Sequence, residues 1–412
     1  MRRFLISCAA GCLACSTAFA APAAVDDSVA FNATMAHLDK GGSSLYYGSC
    51  REELAKVQEL LGDLCGSSAD VKPEMRQLLQ GILAAVRILH LEAIQAMGSS
   101  TKQLPDGLTA YRSYLYTGNS SLPGVLFDLS GRENWAMQLP AQLPESTRLA
   151  FEYRFDFSAA WNSLVKEFAA SAELSPEIKA IPAQLEAACR TAAGVELSAL
   201  LKTLSGTWSL VVVSADPTVS PLPMLRLSMP DRDGVLFKLL QEKGGLQLTQ
   251  KSAGRYSVVG LPLPVIPELV TANGTLTFYS DARLESMLKG GLMQSPTFRG
   301  YLAGIPARGL GFFYVNIDQP IWNLLVMQVE EPMIAGFLQK VPPPVFCSVT
   351  TREKDGFAST TRSNWNISSS SISTMAILSG ILLPALNGAK EKAQALSPQP
   401  GASVPQAPAV QP

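Results

Sequence analysis

The chain has 412 residues, 47% of them hydrophobic and 16% charged, with 33 basic against 34 acidic side chains and a formal net charge of −1. A chain this apolar and this weakly charged buries enough surface to offset its ordering entropy, which excludes disorder throughout and suggests two or three domains of about 150 residues each. The charge balance provides no basic field for nucleic acid. His37 and His90 are the only histidines, so histidine-dependent catalysis and histidine-rich metal sites have almost no raw material.

Residues 1–20 read as a signal peptide. Arg2 and Arg3 form a positive start, Phe4 to Ala18 an apolar run, and Ala18-Phe19-Ala20 a small-residue cleavage site before Ala21. The predicted destination is the periplasm or the exterior. Loss of Arg2 and Arg3 leaves 31 basic against 34 acidic residues, a mature net charge of −3. Export places Cys50, Cys65, Cys189 and Cys347 where disulfides persist, and four cysteines allow three pairings; burial as free thiols is the alternative. Leu54, Val57, Leu61 and Leu64 recur at helical spacing. A continuous helix there would hold Cys50 and Cys65 about 22 Å apart, so a bridge between them requires the helix to break.

The mature chain is expected to begin with an N-terminal helical region, residues 21–103. Within it residues 26–98 read as helix, above all the stripe Met75, Leu78, Leu79, Ile82, Leu83, Val86, Leu89 and Ala93, which follows Pro73 and stops at Gly98-Ser99-Ser100. His90 lies at the edge of that stripe as a partly buried structural side chain. From residue 104 short aromatic and alternating runs predict strands at 111–116, 149–157, 208–213, 224–229, 246–250, 256–259, 276–279, 310–317, 345–349 and 357–362. Helices are expected at 159–172, 176–192, 195–204, 233–243, 281–290 and 320–339. This succession predicts an α+β fold with mainly antiparallel sheets, and no glycine-rich phosphate loop follows any strand.

An internal repeat appears at an offset of about 162 residues. Leu143-Pro144, Phe151-Glu152-Tyr153-Arg154-Phe155-Asp156, Trp161-Asn162 and Leu164-Val165 are echoed by Ile305-Pro306, Phe313-Tyr314-Val315-Asn316-Ile317-Asp318, Trp322-Asn323 and Leu325-Val326. The expectation is a duplicated, two-lobed body: a first lobe over 104–300, and a second repeat unit over 301–367 that completes it. Phe151 and Phe313 are taken as core. Opening on the Ser-rich stretch Ser368 to Ser371, residues 368–396 are expected to be an apolar C-terminal helix, and Ser397 to Pro412 a disordered tail. Two expectations stand for Ile372 to Ala389. As a membrane anchor it would rise about 27 Å and end at Lys390 and Lys392; as a docked helix it would cover a groove of the body.

The run Gly194-Val195-Glu196-Leu197, Leu204-Ser205-Gly206, Leu225-Arg226-Leu227-Ser228-Met229, Leu276-Thr277-Phe278-Tyr279-Ser280 and Phe298 before Ile305-Pro306 resembles exported bacterial proteins of a domain-of-unknown-function family built from two related halves. The resemblance spans about residues 85–365 and implies no catalytic residues. Separately, Ala376 to Ala393 resembles the early helix of type II pseudopilins, which implies an apolar helix ending in mixed charge.

Two constellations bear on chemistry. Asp156 and Asp318 occupy equivalent places in the repeat, where paired carboxylates could act as acid and base, but the strand-to-helix position suits helix capping better. Trp161 and Trp322 could line a groove, yet at a first helical turn they are expected in the core. No nucleophile elbow occurs. The reading is therefore a non-catalytic exported cell-envelope protein that binds a partner or an apolar ligand, with no catalytic, cofactor or metal residues assigned. The alternative is a carboxylate-based hydrolase acting on an envelope or extracellular substrate.

Overall fold

The computed structural model describes residues 27–50, 88–90, 93–118, 124–131, 133–171, 174–214, 223–261, 265–327, 335–336 and 338–365. The chain divides into two compact units, residues 1–317 with 344–368, and residues 318–343 with 369–412. The fold is α+β with a mainly antiparallel sheet.

In the first unit, helix α1 (Asp27–Ala36) precedes strands β1 (Ser44–Ser49), β2 (Ala96–Gln103) and β3 (Thr109–Tyr116). After the short α2 (Val125–Leu129) and β4 (Trp135–Ala136) come β5 (Thr147–Phe155) and the helices α3 (Phe157–Ala170), α4 (Pro176–Lys179), α5 (Ile181–Ala193) and α6 (Leu197–Leu204). Strands β6 (Gly206–Val213) and β7 (Met224–Pro230), helix α7 (Val235–Glu242), and strands β8 (Gln247–Ser252), β9 (Arg255–Val259), β10 (Glu268–Ala272) and β11 (Thr275–Tyr279) follow. Helices α8 (Arg283–Met287) and α9 (Pro296–Leu302) lead to β12 (Arg308–Gly309) and β13 (Gly311–Asn316), and the unit closes with β14 (Val345–Arg352) and β15 (Gly356–Ser363). The second unit contains α10 (Gln319–Met327), where Trp322 is buried and its Nε1–H donates to the Leu338 carbonyl at 3.2 Å.

Thirteen of the described strands form one antiparallel sheet in the order β1-β2-β3-β15-β14-β13-β5-β6-β7-β11-β10-β9-β8. All ten strands expected from the sequence are present. The boundary placed at 300/301 does not break the sheet, because β5 and β13, from opposite sides of it, pair directly with Phe151 opposite Phe313.

The helical reading of residues 26–98 needs correction at both ends. Ser44–Ser49 and Ala96–Gln103 are paired strands, with Ser44 opposite Thr101 and Ser49 opposite Ala96. Gly98-Ser99-Ser100, read as a helix stop, lies inside β2. Gly98 has a packing reason there: a Cβ would overlap Thr34 and Leu38, so its absence lets α1 and the turn after it seat on the sheet. The stripe from Met75 to Val86 lies outside the described residues, as do the signal peptide and Ile372 to Ala389.

Residues opposite one another in an antiparallel ladder share a face. The registers put Ala150, Glu152, Ser209, Val211, Phe312, Tyr314, Cys347 and Val349 on one face of the central strands. This face is closed by Leu139, Leu143, Leu284, Leu292, Phe298 and Tyr301 from turns and short helices, and Ala150, Val211 and Cys347 are 0% exposed. The opposite face carries Phe151, Tyr153, Leu210 and Phe313, all half-buried. The expectation that Phe151 and Phe313 are core is thus corrected: both stay half-buried, and the deepest burial lies on the opposite face, which short helices and turns cover. Phe312→Ala should cost about 3–5 kcal/mol and Phe313→Ala about half as much, a ranking that chemical denaturation of the two variants checks.

Two buried carboxylates hold the periphery. Glu152 accepts the backbone N–H groups of Gln138 and Leu139 at 3.2 and 3.0 Å; burial pushes its pKa up, against those bonds and the field of Arg226. Glu268 is buried at the start of β10 and accepts from Lys251 Nζ and Arg255 Nη1, each at 2.6 Å. Burial alone would raise its pKa, but the two cations outweigh burial and hold it below the ordinary 4.5. A carboxyl whose folded pKa is depressed contributes stability above its unfolded value and loses it as pH falls through the folded one. Glu268→Gln should therefore cost about 1–2 kcal/mol at pH 7 and progressively less below about pH 4.5, read from thermal melts across that range.

Candidate functional site

Alternation along β5 produces an aromatic ladder. Phe151, Tyr153 and Phe155 project from one face at i, i+2, i+4, with ring centroids 5.2 Å apart for the first pair and 5.7 Å for the second. Phe157, which opens α3, continues the row at 5.4 Å and meets Trp208 edge-on at 5.9 Å. Trp208 lies opposite Tyr153 on β6, and on the other flank Gly311 lies opposite Tyr153 on β13. Gly311 is required there: a Cβ would overlap the Tyr153 ring, which lies across the strand. Phe313, beyond Gly311, packs on Phe346 at 5.4 Å.

Helices cap one end of this field. The Trp208 Nε1–H donates to the Leu204 carbonyl of α6 at 2.9 Å, and the Ser158 N–H at the start of α3 donates to Ser205 Oγ at 3.0 Å. Toward β8, α7 covers the same face with Leu236, Phe237 and Leu240 over Val258, Leu269 and Leu276. Between these covers the ladder stays half-buried.

Beyond Phe313 the same face turns polar. The register carries it through Ser348 and Thr350 of β14 to Thr361 and Ser359 of β15. Thr361 Oγ1 donates to Ser348 Oγ at 2.8 Å, Ser348 and Ser359 share a bond of 3.3 Å, and the Tyr153 hydroxyl donates to Thr350 Oγ1 at 3.2 Å. Aromatic rings and a cluster of neutral hydroxyls thus adjoin on one surface. Such a surface binds by dispersion and by the ring quadrupoles, with hydrogen bonds at one margin.

The residues singled out for chemistry fall elsewhere. The Ala159 N–H donates to Asp156 Oδ1 at 2.9 Å, so Asp156 caps α3. Strands β5 and β13 run antiparallel about Phe151 and Phe313, so Phe155 and Asn316 mark opposite ends of the pair, about 24 Å apart at about 3.4 Å per residue. Asp318 belongs to the second unit. Trp161 is half-buried in α3 rather than in the core. His90 lies 3.3 Å from Glu167 of α3, and His37 stacks on Tyr114 at 3.9 Å.

Cys50, Cys189 and Cys347 are free thiols, and Cys65 lies outside the described residues. Burial pushes the Cys50 thiol up to about 11 and the Cys347 thiol further, which keeps both protonated and poor nucleophiles. Among the described residues no group of three metal-ligating side chains occurs, and no helix is long and apolar enough to cross a membrane. Asp156→Ala should cost about 1 kcal/mol of stability and leave binding at the ladder unchanged, with Asp156→Asn restoring most of the loss in a thermal melt. Comparison of the chain with protein-family models, with curated proteins and with solved structures gave no match.

Proposed function

We propose that this chain is a non-catalytic exported protein of the cell envelope that binds an amphiphilic, mainly apolar ligand along the aromatic ladder of β5. The observation that carries the reading is the asymmetry of the central strands. One face is sealed by a packed core, while the other keeps Phe151, Tyr153, Phe155 and Trp208 half-buried with the hydroxyls of Ser348, Ser359 and Thr361 beside them. Six large rings held at half burial forgo stabilisation that a closed core would have captured, and a ligand would recover it. The envelope location rests on residues 1–20 and on Ile372 to Ala389, whose association with a membrane belongs to the same proposal.

We also read β5 and β13 as equivalent strands of two duplicated halves. Phe151 and Phe313 are 162 positions apart, the offset of the sequence repeat, and they face each other across the ladder. On one side of this pair lie β6 and β7, on the other β14 and β15. A two-fold relation between the halves accounts for both facts.

The test is titration of the purified chain with a fluorescent acyl-chain probe, cis-parinaric acid. Saturable binding near one probe per chain is expected. Phe155→Ser, which removes about 60 Å² of apolar contact, should weaken binding about tenfold. Gly311→Ala, which displaces the Tyr153 ring from its place across β13, should weaken it as well. Non-saturable partition, or affinity unchanged from the parent chain in both variants, would refute the site.

A further inference from the structure

Among the described residues the sheet has two edges, and they are built differently. β8 is exposed along most of its length, carries Lys251, and has an irregular register between Gln250 and Ser252. Charge and a bulge are devices that keep an edge from pairing with another chain. β1 has neither. Its register with β2 is uninterrupted, and Ser44-Leu45-Tyr46-Tyr47-Gly48-Ser49 contains no charge and no proline. Leu45 is 47% exposed and Tyr46 54%, and on neighbouring α1 Val29 is 49% and Phe31 43% exposed. The Phe31 ring meets Tyr47 edge-on at 5.0 Å, so α1 and the Leu45 and Tyr47 face of β1 present one apolar patch beside the edge, with Tyr46 on the opposite face.

The backbone of that edge is set by its pairing. The Cys50 N–H donates to the Gln95 carbonyl at 2.9 Å. Antiparallel alternation then turns the N–H and C=O groups of Leu45, Tyr47 and Ser49 away from β2.

We propose that β1 pairs antiparallel with β1 of a second copy of this chain, about a two-fold axis through Tyr47. That register sets Leu45 opposite Ser49 of the partner subunit, and Tyr47 opposite the partner's Tyr47. Every outward backbone group then meets an outward one, giving about six hydrogen bonds. Tyr46 falls opposite the partner's Gly48, the one residue of the strand without a side chain to oppose it. Within one chain Gly48 already lies beneath the Tyr46 ring: a Cβ there would be 2.6 Å from the Tyr46 hydroxyl. Charge also selects a second copy. A two-fold axis sets each charge on the strand near its own counterpart, and β1 has none to repel. The area fits a reversible dimer. Four half-exposed apolar side chains offer roughly 300 Å² per copy, and with the strand backbone the total approaches the roughly 1,000 Å² at which specific association begins.

Sedimentation equilibrium of the purified chain, from about 1 to 200 µM, tests the proposal. A monomer–dimer equilibrium with a dissociation constant of order 10 µM is expected. Tyr46→Lys and Leu45→Lys, both at exposed positions, should each raise that constant at least tenfold with an unchanged thermal midpoint. Thr249→Lys, on the opposite edge, should leave it unchanged. A monomer throughout the range, a dimer undiminished in both β1 variants, or one weakened equally by Thr249→Lys would overturn the proposal. Should Leu45→Lys fail to fold, the Tyr46→Lys result decides alone.

Discussion

The antiparallel pairing of β5 with β13 is the constraint on which the first unit depends. Opposing Phe151 and Phe313 fixes which residues of four central strands look toward the packed core. A slip of one residue would turn Ala150, Phe312 and Tyr314 outward and drive bulky Phe151, Tyr153 and Phe155 onto a face with no room for them. Each large apolar side chain on the sealed face adds about 1.5–3 kcal/mol, so the register is specified many times over. The other elements are consequences. The turns around Leu139 and Leu292 exist to close that face, and Glu152 accepts two N–H groups of the first turn to hold it there.

Much of this was legible in the sequence, and the missed parts have physical causes. The strands between 111 and 362 announce themselves by β-branched and aromatic residues at alternate positions. Ala96–Gln103 does not: Ala-Met-Gly-Ser-Ser-Thr-Lys-Gln has little strand preference, and pairing along the whole length of β3 makes it a strand. β1 was hidden because Leu45, Tyr46 and Tyr47 follow a helix and were absorbed into a helical reading. β10 is short and begins with Glu268, whose charge is tolerable only because Lys251 and Arg255 arrive from neighbouring strands. No local pattern encodes a partner that distant in the chain.

The candidate site was half legible. Phe-Glu-Tyr-Arg-Phe states a strand with one aromatic face, but not whether that face is sealed. Phe151 and Phe313 read as core from their size, whereas the deepest burial lies on the opposite face, at Ala150, Val211 and Phe312. Size predicts how much surface a residue can bury, not how closely the next layer can approach. Asp156 is the legible counterpart: its place between a strand and a helix reads as a cap, and its side chain accepts the Ala159 N–H at the start of α3.

Cys347 gives the sheet an internal clock. It sits on β14 with no exposed surface, one strand from the central pair, and its thiol is strongly disfavoured as thiolate. No reagent or oxidised glutathione reaches it without the middle of the sheet coming apart, whereas the partly exposed Cys189 on α5 needs no such opening. In an oxidising compartment the two sulfurs therefore age on separate timescales. Modification at Cys189 records encounters with oxidants, and modification at Cys347 records how often the native state has been lost.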